Sequence, residues 1–171
     1  MESIDILADH YFAERLDTTL ETLLMPIAGD SPAGESLTSS ETYSSIRDAR
    51  EEEEATLPLG QWEHELKRAD RGAASRSCVH ALSVKSKDLQ LAAWMLEAEI
   101  HRHGFAALAP CLTLIGALTR TYWRQLYPQN IERRDNIFRW IDDKLNRLLR
   151  LVPFTATGSG VGYGWADWEQ S

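Results

Sequence analysis

Residues that could carry enzyme chemistry are few in this chain, and their spacing does not favour it. Two histidines, His101 and His103, stand two positions apart at the predicted end of a helix. They therefore point to different faces and cannot form the i, i+4 pair with which a helix binds zinc, although a histidine there suits the negative end of the helix dipole. The sequence predicts no metal site. The full set of histidines is His10, His64, His80, His101 and His103.

Nucleophile and phosphate-binding motifs are missing as well. Gly158-Ser159-Gly160 lacks the spacing and the preceding strand of a nucleophile elbow. The glycines from 158 to 164 follow a predicted helix, and no lysine comes after them as in a P-loop. Cys78 and His80 diverge on one predicted helix, and no carboxylate pair has an apolar setting that would separate its pKa values. We therefore expect no catalytic residue and no cofactor.

Length and composition limit the class of protein. The 171 residues suffice for one domain, and 43% hydrophobic with 26% charged residues is ordinary globular composition. A net charge of −8 and a pI near 5.1 make nucleic acid an unfavourable partner, since phosphate contacts need a basic face.

No uninterrupted apolar run approaches the ~20 residues of a membrane span, and the acidic N-terminus is unlike a signal peptide. Cys78 and Cys111 are too few for a disulfide framework. We expect a cytoplasmic domain without membrane insertion.

The stretch from Ser86 to Pro128 predicts two helices that would form the core. Ser86 is predicted to cap the first, Gly104 to end it, and Pro128 to stop the second. A short break between two amphipathic helices favours an antiparallel hairpin. The predicted apolar stripes are Leu89, Ala92, Ala93, Leu96 and Ile100, then Leu108, Leu112, Ile115, Leu118, Tyr122 and Leu126.

Further helices are predicted on either side of the hairpin. A first helix over residues 4–25, with Ile4, Leu7, Tyr11 and Phe12 on its apolar face, ends at Pro26 and leads into an ordered loop. Ser39 or Ser40 is predicted to cap the next helix, Asp70 a helix through Ser83, and Asn130 a helix to about Leu151. The last helix has an apolar stripe containing Ile137, Phe138 and Ile141, with Arg133 and Arg134 outside it.

Two features could contact a partner. The acidic run of Glu51, Glu52, Glu53 and Glu54 is either a docking patch for a basic partner or a solvated helix end. Tyr163, Trp165 and Trp168, in the glycine-rich tail, either anchor a partner or cover a groove between helices. Self-association through these aromatic residues is a further possibility. Trp94, Trp123 and Trp140 are predicted to lie in the core.

The predicted fold is an all-α single domain of about six or seven helices. It has a central antiparallel hairpin and an irregular glycine-rich tail, with the helical domain over residues 1–157 and the tail over residues 158–171. A small helical enzyme, or a ligand-binding domain with a pocket between helices, is the alternative to a protein-binding role.

Short motifs follow one another in a fixed order over roughly residues 24–171, and the most specific are Ser86-Lys87-Asp88-Leu89 and the Tyr122 to Pro128 ending. In these motifs and their order the chain resembles the ImpA N-terminal domain of TssA-type proteins, components of the bacterial type VI secretion system. The other motif residues, taken as structural, are Pro26, Gly34, Trp62, Asp70, Trp94 and Trp123, with Val152-Pro153-Phe154-Thr155 following. Arg71 stands where the family usually has tryptophan, which leaves the contacts at that position open.

The resemblance implies a non-enzymatic structural adaptor. TssA-type proteins help to assemble the baseplate and the contractile sheath, so the implied partners are sheath, baseplate and membrane-complex proteins. The family also implies a separate C-terminal domain that provides most of the oligomerisation, and the tail over residues 158–171 is then expected to begin the linker to further C-terminal regions. It supplies no catalytic residue to carry over to this sequence.

Overall fold

The computed structural model describes residues 2–51 and 68–151, and these residues form helices and loops without a strand. This confirms the predicted all-α domain. A 3-10 turn, Gly104–Ala107, joins the fifth and sixth helices. The α-helices are α1 (Glu2–Leu16), α2 (Leu20–Leu24), α3 (Glu41–Arg50), α4 (Arg71–Val84), α5 (Leu89–His103), α6 (Leu108–Tyr122) and α7 (Ile131–Leu151).

Helix α5 is the centre of the domain. All ten side chains from Leu91 to Ile100 are buried, so this helix has no solvent-facing side over almost three turns. It packs against α4, α6 and α7, while α1 lies against α6. The largest fully buried side chains come from six of the helices and include Phe12, Leu23, Ile46, Leu82, Met95, Ile100, Leu114 and Leu118.

The predicted antiparallel hairpin of α5 and α6 is confirmed. Gly104 ends α5 with a φ of 59°, a conformation that glycine adopts without the steric cost of a Cβ atom. After α6 the chain returns to the start of α5, because the Leu89 N–H donates to the Tyr127 carbonyl at 2.8 Å. The Tyr127 N–H in turn donates to the Lys87 carbonyl at 2.9 Å.

The hairpin also contains the one run, within residues 2–51 and 68–151, that passes a length-and-composition test for a membrane span. This run extends from Leu89 to Tyr122. The chain reverses within it at Gly104, and both halves contribute side chains to the core. Core helices pass the same test, so the result is weak support for a membrane span.

Three predicted helix caps are confirmed by their hydrogen bonds. Ser40 Oγ accepts from the Tyr43 N–H at 3.2 Å, and Asp70 Oδ1 accepts from the Ala73 N–H at 2.8 Å. At the start of α7, Asn130 Oδ1 accepts from the Arg133 N–H at 2.9 Å. Each side chain satisfies a first-turn amide that has no partner inside its helix.

The single helix predicted over residues 4–25 is wrong, since the chain breaks between α1 and α2. Asp17 takes a φ of 52°, which no continuous right-handed helix allows. Thr19 then caps α2 by accepting from the Thr22 N–H at 3.1 Å. The Asp9 side chain accepts from the Leu20 N–H at 2.7 Å and so fixes the corner.

Two boundaries of the hairpin also differ from prediction. Ser86 does not cap α5. It is fully buried in the preceding segment, and Asp88 provides the cap by accepting from the Gln90 N–H at 2.7 Å. Helix α6 ends at Tyr122 instead of running to Pro128, and a turn over residues 123–125 follows it.

Several apolar residues predicted to face the core are exposed. Leu112 is 40% exposed because the buried face of α6 is centred on Cys111, Ile115 and Leu118, about a quarter turn away. Trp123 is 42% exposed because it lies in the turn after α6 instead of within the helix. The others are Ile4 and Leu7, which precede the first buried residue of α1, and Phe138 on the outer side of α7.

Candidate functional site

Three segments that carry motif residues are joined by main-chain hydrogen bonds. They are residues 33–35, 85–89 and 126–128, which we call the backbone clip. Gly34 forms an antiparallel bridge with Ser86, and Asp88 forms a parallel bridge with Tyr127. The Lys87 N–H donates to the Ala33 carbonyl at 2.8 Å. The clip thereby attaches the loop after α2 to the start of α5 and to the segment that follows α6.

Gly34 is required by the geometry of the clip. Its φ is +73°, and a Cβ atom at this position would lie 2.1 Å from the Lys85 carbonyl oxygen. Any larger residue would therefore combine an unfavourable backbone conformation with a steric overlap against the main chain. Pro26, another motif residue, lies just after α2 and is exposed.

Lys87 is buried and bonded to the main chain. Its Nζ atom donates to the Leu23 carbonyl at 2.8 Å and to the Leu82 carbonyl at 2.7 Å, and it lies 5.9 Å from the Tyr122 ring centroid. Burial lowers the pKa of Lys87 to about 8. The ammonium thus joins the ends of α2 and α4 from inside the domain and does not face a substrate.

Asp88 is buried beside it and caps α5. Burial raises the pKa of this carboxyl to about 6, although hydrogen bonds from the Gln90 and Leu91 amides act in the opposite direction. Its position at the positive end of the helix dipole also favours the charged form. The two charged motif residues therefore have main-chain partners.

Arg134 packs against the turn that follows α6. This differs from the prediction, which placed it outside the apolar stripe of its helix. It is 4% exposed and donates to the carbonyls of Trp123, Leu126 and Pro128. Its guanidinium also stacks on the Trp123 ring, 4.7 Å from the centroid. One side chain thus satisfies three carbonyls in a turn that has no regular structure.

Two buried carboxylates on α5 were not predicted as a special pair. Glu97 is 3% exposed and binds Arg50 of α3 (Nε to Oε2, 2.8 Å) and Lys144 of α7 (Nζ to Oε1, 2.7 Å). Burial by itself would raise the pKa of Glu97, but the hydrogen bonds and charges of Lys144 and Arg50 outweigh it and hold the pKa below its usual value. The ion pairs tie three helices together.

Glu99 lies two residues further along α5, on a different side of the helix, and has a separate set of partners. It accepts from Tyr11 Oη at 2.7 Å, from Ser75 Oγ at 2.8 Å and from Arg102 Nη1 at 2.6 Å. His103 Nε2 lies 3.8 Å away without a hydrogen bond, and burial lowers the pKa of this histidine. The sequence signal for both carboxylates was their position inside an otherwise apolar helix, where a charge needs partners.

Arg71 replaces the tryptophan expected from the family resemblance, and the structure shows one of its contacts. At the first position of α4, its Nη1 atom donates to the Arg50 carbonyl at 3.1 Å. This carbonyl belongs to the last turn of α3, where main-chain acceptors lack partners inside the helix. Arg71 therefore joins α4 to the end of α3.

A cleft lies beside this junction, between α3, the start of α5 and α7. Its volume is about 420 Å³. Tyr43 and Trp94 pack with ring centroids 4.5 Å apart, and the Arg50 guanidinium lies 4.8 Å from the Trp94 ring and 5.5 Å from the Trp140 ring. The lining residues are Thr38, Tyr43, Arg50, Gln90, Trp94, Pro128, Arg133, Asn136, Ile137 and Trp140.

The residues predicted as partner contacts are only partly placed. Glu51 is exposed at the end of α3, where it lies 3.9 Å from Arg47. Glu52, Glu53, Glu54, Trp62, Tyr163, Trp165 and Trp168 lie outside the described residues. Cys78 and Cys111 are fully buried, and burial raises the pKa of both thiols. Residues 2–51 and 68–151 contain no cluster of three potential metal ligands.

Comparison with known proteins identifies the family. The model of the ImpA N-terminal family, from the type VI secretion system, matches residues 24–143. A solved structure of the N-terminal domain of the TssA component of the type VI secretion system from Burkholderia cenocepacia, which includes the conserved ImpA N-terminal region, is 31% identical to this chain, with a TM-score of 0.73. The match covers 88% of this chain and 57% of that one. No curated protein matches. Both the sequence order of the motifs and the helical fold that they hold together thus place the chain in the ImpA N-terminal family of type VI secretion components.

Proposed function

We propose that this domain is a non-enzymatic structural adaptor of the type VI secretion system, which contributes to baseplate and sheath assembly through protein–protein contacts on the cytoplasmic side. The family match over residues 24–143 carries the proposal. The similarity to the TssA N-terminal domain supports it, since the match covers most of this chain.

The internal chemistry of the domain supports a structural role. In the part of the chain that the structure describes, the buried charged side chains Lys87, Glu97, Glu99 and Arg134 are all bonded to groups of the domain itself. Such groups hold helices together and are not placed to exchange protons with a substrate. The cleft beside α7 has neither a histidine nor a carboxylate among its described lining residues, so it lacks the side chains that most often act as general acid or base.

A ligand-binding domain remains the second candidate, because the cleft has the volume of a small-molecule site. Its aromatic and amide side chains suit a peptide or a planar ligand equally well. Screening the domain against metabolites by thermal shift would favour this function if a small molecule raised the melting temperature in a dose-dependent way.

Binding to secretion proteins tests the adaptor function directly. The immobilised chain would be incubated with purified sheath, baseplate and membrane-complex proteins of the same bacterium, and bound protein would be quantified. We expect saturable binding to at least one of them. Recovery of none above the level seen with an unrelated helical domain would contradict the proposed function.

Contacts by the acidic run Glu51–Glu54 and by the tail aromatics Tyr163, Trp165 and Trp168 are part of this proposal. Removing residues 158–171 separates two roles for the tail. Loss of partner binding with an unchanged molar mass in light scattering would support a contact role, whereas a change from dimer to monomer would indicate self-association.

A further inference from the structure

We propose that the cleft between α3, α5 and α7 docks a peptide segment of a secretion partner in which carboxylates accompany an aromatic or proline side chain. This rests on the proposed adaptor function and specifies the surface and the partner chemistry. The described lining of the cleft consists of aromatic, arginine and amide residues together with Thr38, Pro128 and Ile137.

Charge favours an acidic occupant. The chain as a whole carries a net charge of −8, yet the described residues that line the cleft include two arginines and no carboxylate. Arg50 is already paired with the buried Glu97, so the charge that faces a partner is that of Arg133. Arg133 is exposed, and its side chain forms no ion pair with any residue in the described ranges. Its guanidinium is thus available for a carboxylate of a partner, with the planar geometry that suits bidentate pairing.

The wall of the cleft is rigid before binding. Arg50 is fixed by Glu97, which also binds Lys144, so α3, α5 and α7 are held in one arrangement. The same arginine lies over the rings of Trp94 and Trp140. Tryptophan, tyrosine and arginine are the residues most enriched at the energetic centres of protein interfaces, and a preformed site loses little side-chain entropy on binding.

Aromatic surface and free amides specify the rest of the occupant. Tyr43 and Trp140 are half-buried beside the nearly buried Trp94, and this surface accepts a ring or a proline. The side-chain amides of Gln90 and Asn136 form no hydrogen bond with other described residues. They can therefore bond the main chain of a peptide, which a compact apolar ligand would not need.

Site-specific cross-linking in the secreting bacterium tests the occupant. Asn136 of the full chain would be replaced by the photoreactive residue benzoylphenylalanine, and the cross-linked peptide would be sequenced by mass spectrometry. A segment of another secretion protein with carboxylates next to an aromatic or proline supports the proposal. A cross-link to this chain itself, to a second copy, to a lipid or to a segment without carboxylates overturns it, as does no cross-link in cells that secrete.

Charge reversal provides a matched control. Arg133→Glu should reduce the cross-linking yield and the affinity for the bound component by roughly tenfold or more, and the binding should weaken with salt. Arg147→Glu makes the same charge change at an exposed position of α7 outside the cleft and should leave both unchanged. Equal effects of the two variants would overturn the proposal.

The pull-down separates this proposal from the function on which it rests. If the wild-type chain binds a secretion component and Arg133→Glu binds it equally, the cleft is wrong and the adaptor function stands. If the wild-type chain binds none, the adaptor function itself fails. The melting temperature of each variant, expected to be unchanged at these exposed positions, would verify that the domain remains folded.

Discussion

Lys87 and Asp88 are adjacent, buried and oppositely charged, and each is bonded to the main chain. Lys87 joins two helix ends through their carbonyls, and Asp88 accepts from the Gln90 N–H in the first turn of α5. Buried charges of this kind are costly unless fully paired. Their value to this domain is that they fix the start of its central helix, which a pair of apolar residues could not do.

The pH dependence of stability should reveal the cost of burying Asp88. Its pKa is about 6 in the folded domain and about 4 when unfolded, so the unfolded state releases its proton first and stability falls as pH rises from about 4 to about 6. Asp88→Asn keeps the cap without a charge. Relative to wild type, we expect it to gain stability over this range, by up to about 3 kcal/mol.

Urea denaturation of the wild type and of the asparagine variant at pH 4, 5, 6 and 7 would measure the gain. Other titrating groups are common to both proteins and cancel in the difference. Asp88→Ala, which lacks the cap, should be about 1 kcal/mol less stable than the asparagine variant at every pH. A difference between asparagine and wild type that does not change with pH would show that Asp88 is not titrating in this window.

Gly34 should be the more sensitive of two glycines that share a positive φ. Gly34→Ala brings a Cβ atom against the Lys85 carbonyl, whereas at Gly29, with a φ of +122°, a Cβ atom meets nothing within 4 Å. We expect losses of about 3 kcal/mol at Gly34 and about 1–2 kcal/mol at Gly29, where only backbone strain applies. Thermal unfolding of both variants would compare them, and equal losses would show that the overlap is relieved by movement of the loop.

At the scale of elements, the buried face of α6 can be tested by two truncations. Ile115 is 5% exposed and Leu112 is 40% exposed on the same helix. Ile115→Ala should cost about 2–5 kcal/mol through cavity formation, and Leu112→Ala less than about 1 kcal/mol. Leu96→Ala on α5 should fall in the range of Ile115→Ala. Chemical denaturation would measure all three, and a large loss at Leu112 would contradict the described face.

Sequence patterns predicted elements best where a single side chain determines a boundary. Asp70, Gly104 and Asn130 are predicted correctly at helix ends, and Ser40 is one of two candidates for its cap, because capping depends only on local geometry. The break at Asp17 was missed because apolar residues keep a helical spacing on both sides of it. The cap at Asp88 was assigned to Ser86 because both residue types cap helices, and only the clip determines which of them is used.

Local sequence patterns could not predict the candidate site. Its residues come from α3, α5 and α7, and tertiary packing alone brings Arg50, Trp94 and Arg133 to one cleft. The family motifs were visible in the sequence, yet their roles were not, since Lys87 and Gly34 act through main-chain atoms of distant segments. A sequence shows that a charge inside an apolar helix needs a partner, but it does not show which residue that partner is.

At the scale of the whole molecule, Glu97 connects three helices and should control how firmly α7 is held. Glu97→Gln leaves Arg50 and Lys144 without their buried counter-charge, which should cost about 3–5 kcal/mol. We expect amide hydrogen exchange to accelerate most in α7, since among the described elements this helix packs chiefly on α5.

Asp135→Asn is the matched control on α7. It makes the same change from carboxylate to amide in an exposed ion pair with Arg139, where the loss should be below about 1 kcal/mol. Uniform acceleration across all helices in Glu97→Gln would mean that the domain opens only as a unit, and would contradict a separate weakening of α7.

The backbone clip also bears on how the chain is made. Its three segments leave the ribosome at different times. The N–H of Leu89, the first residue of α5, can bond to its acceptor only after Tyr127 has been synthesised. Until then α7 has not been synthesised either, so the part of α5 that packs against α7 remains uncovered. Nascent chains that stall before Tyr127 should therefore bind chaperones, because contacts between distant segments form late and apolar surface stays exposed until they do.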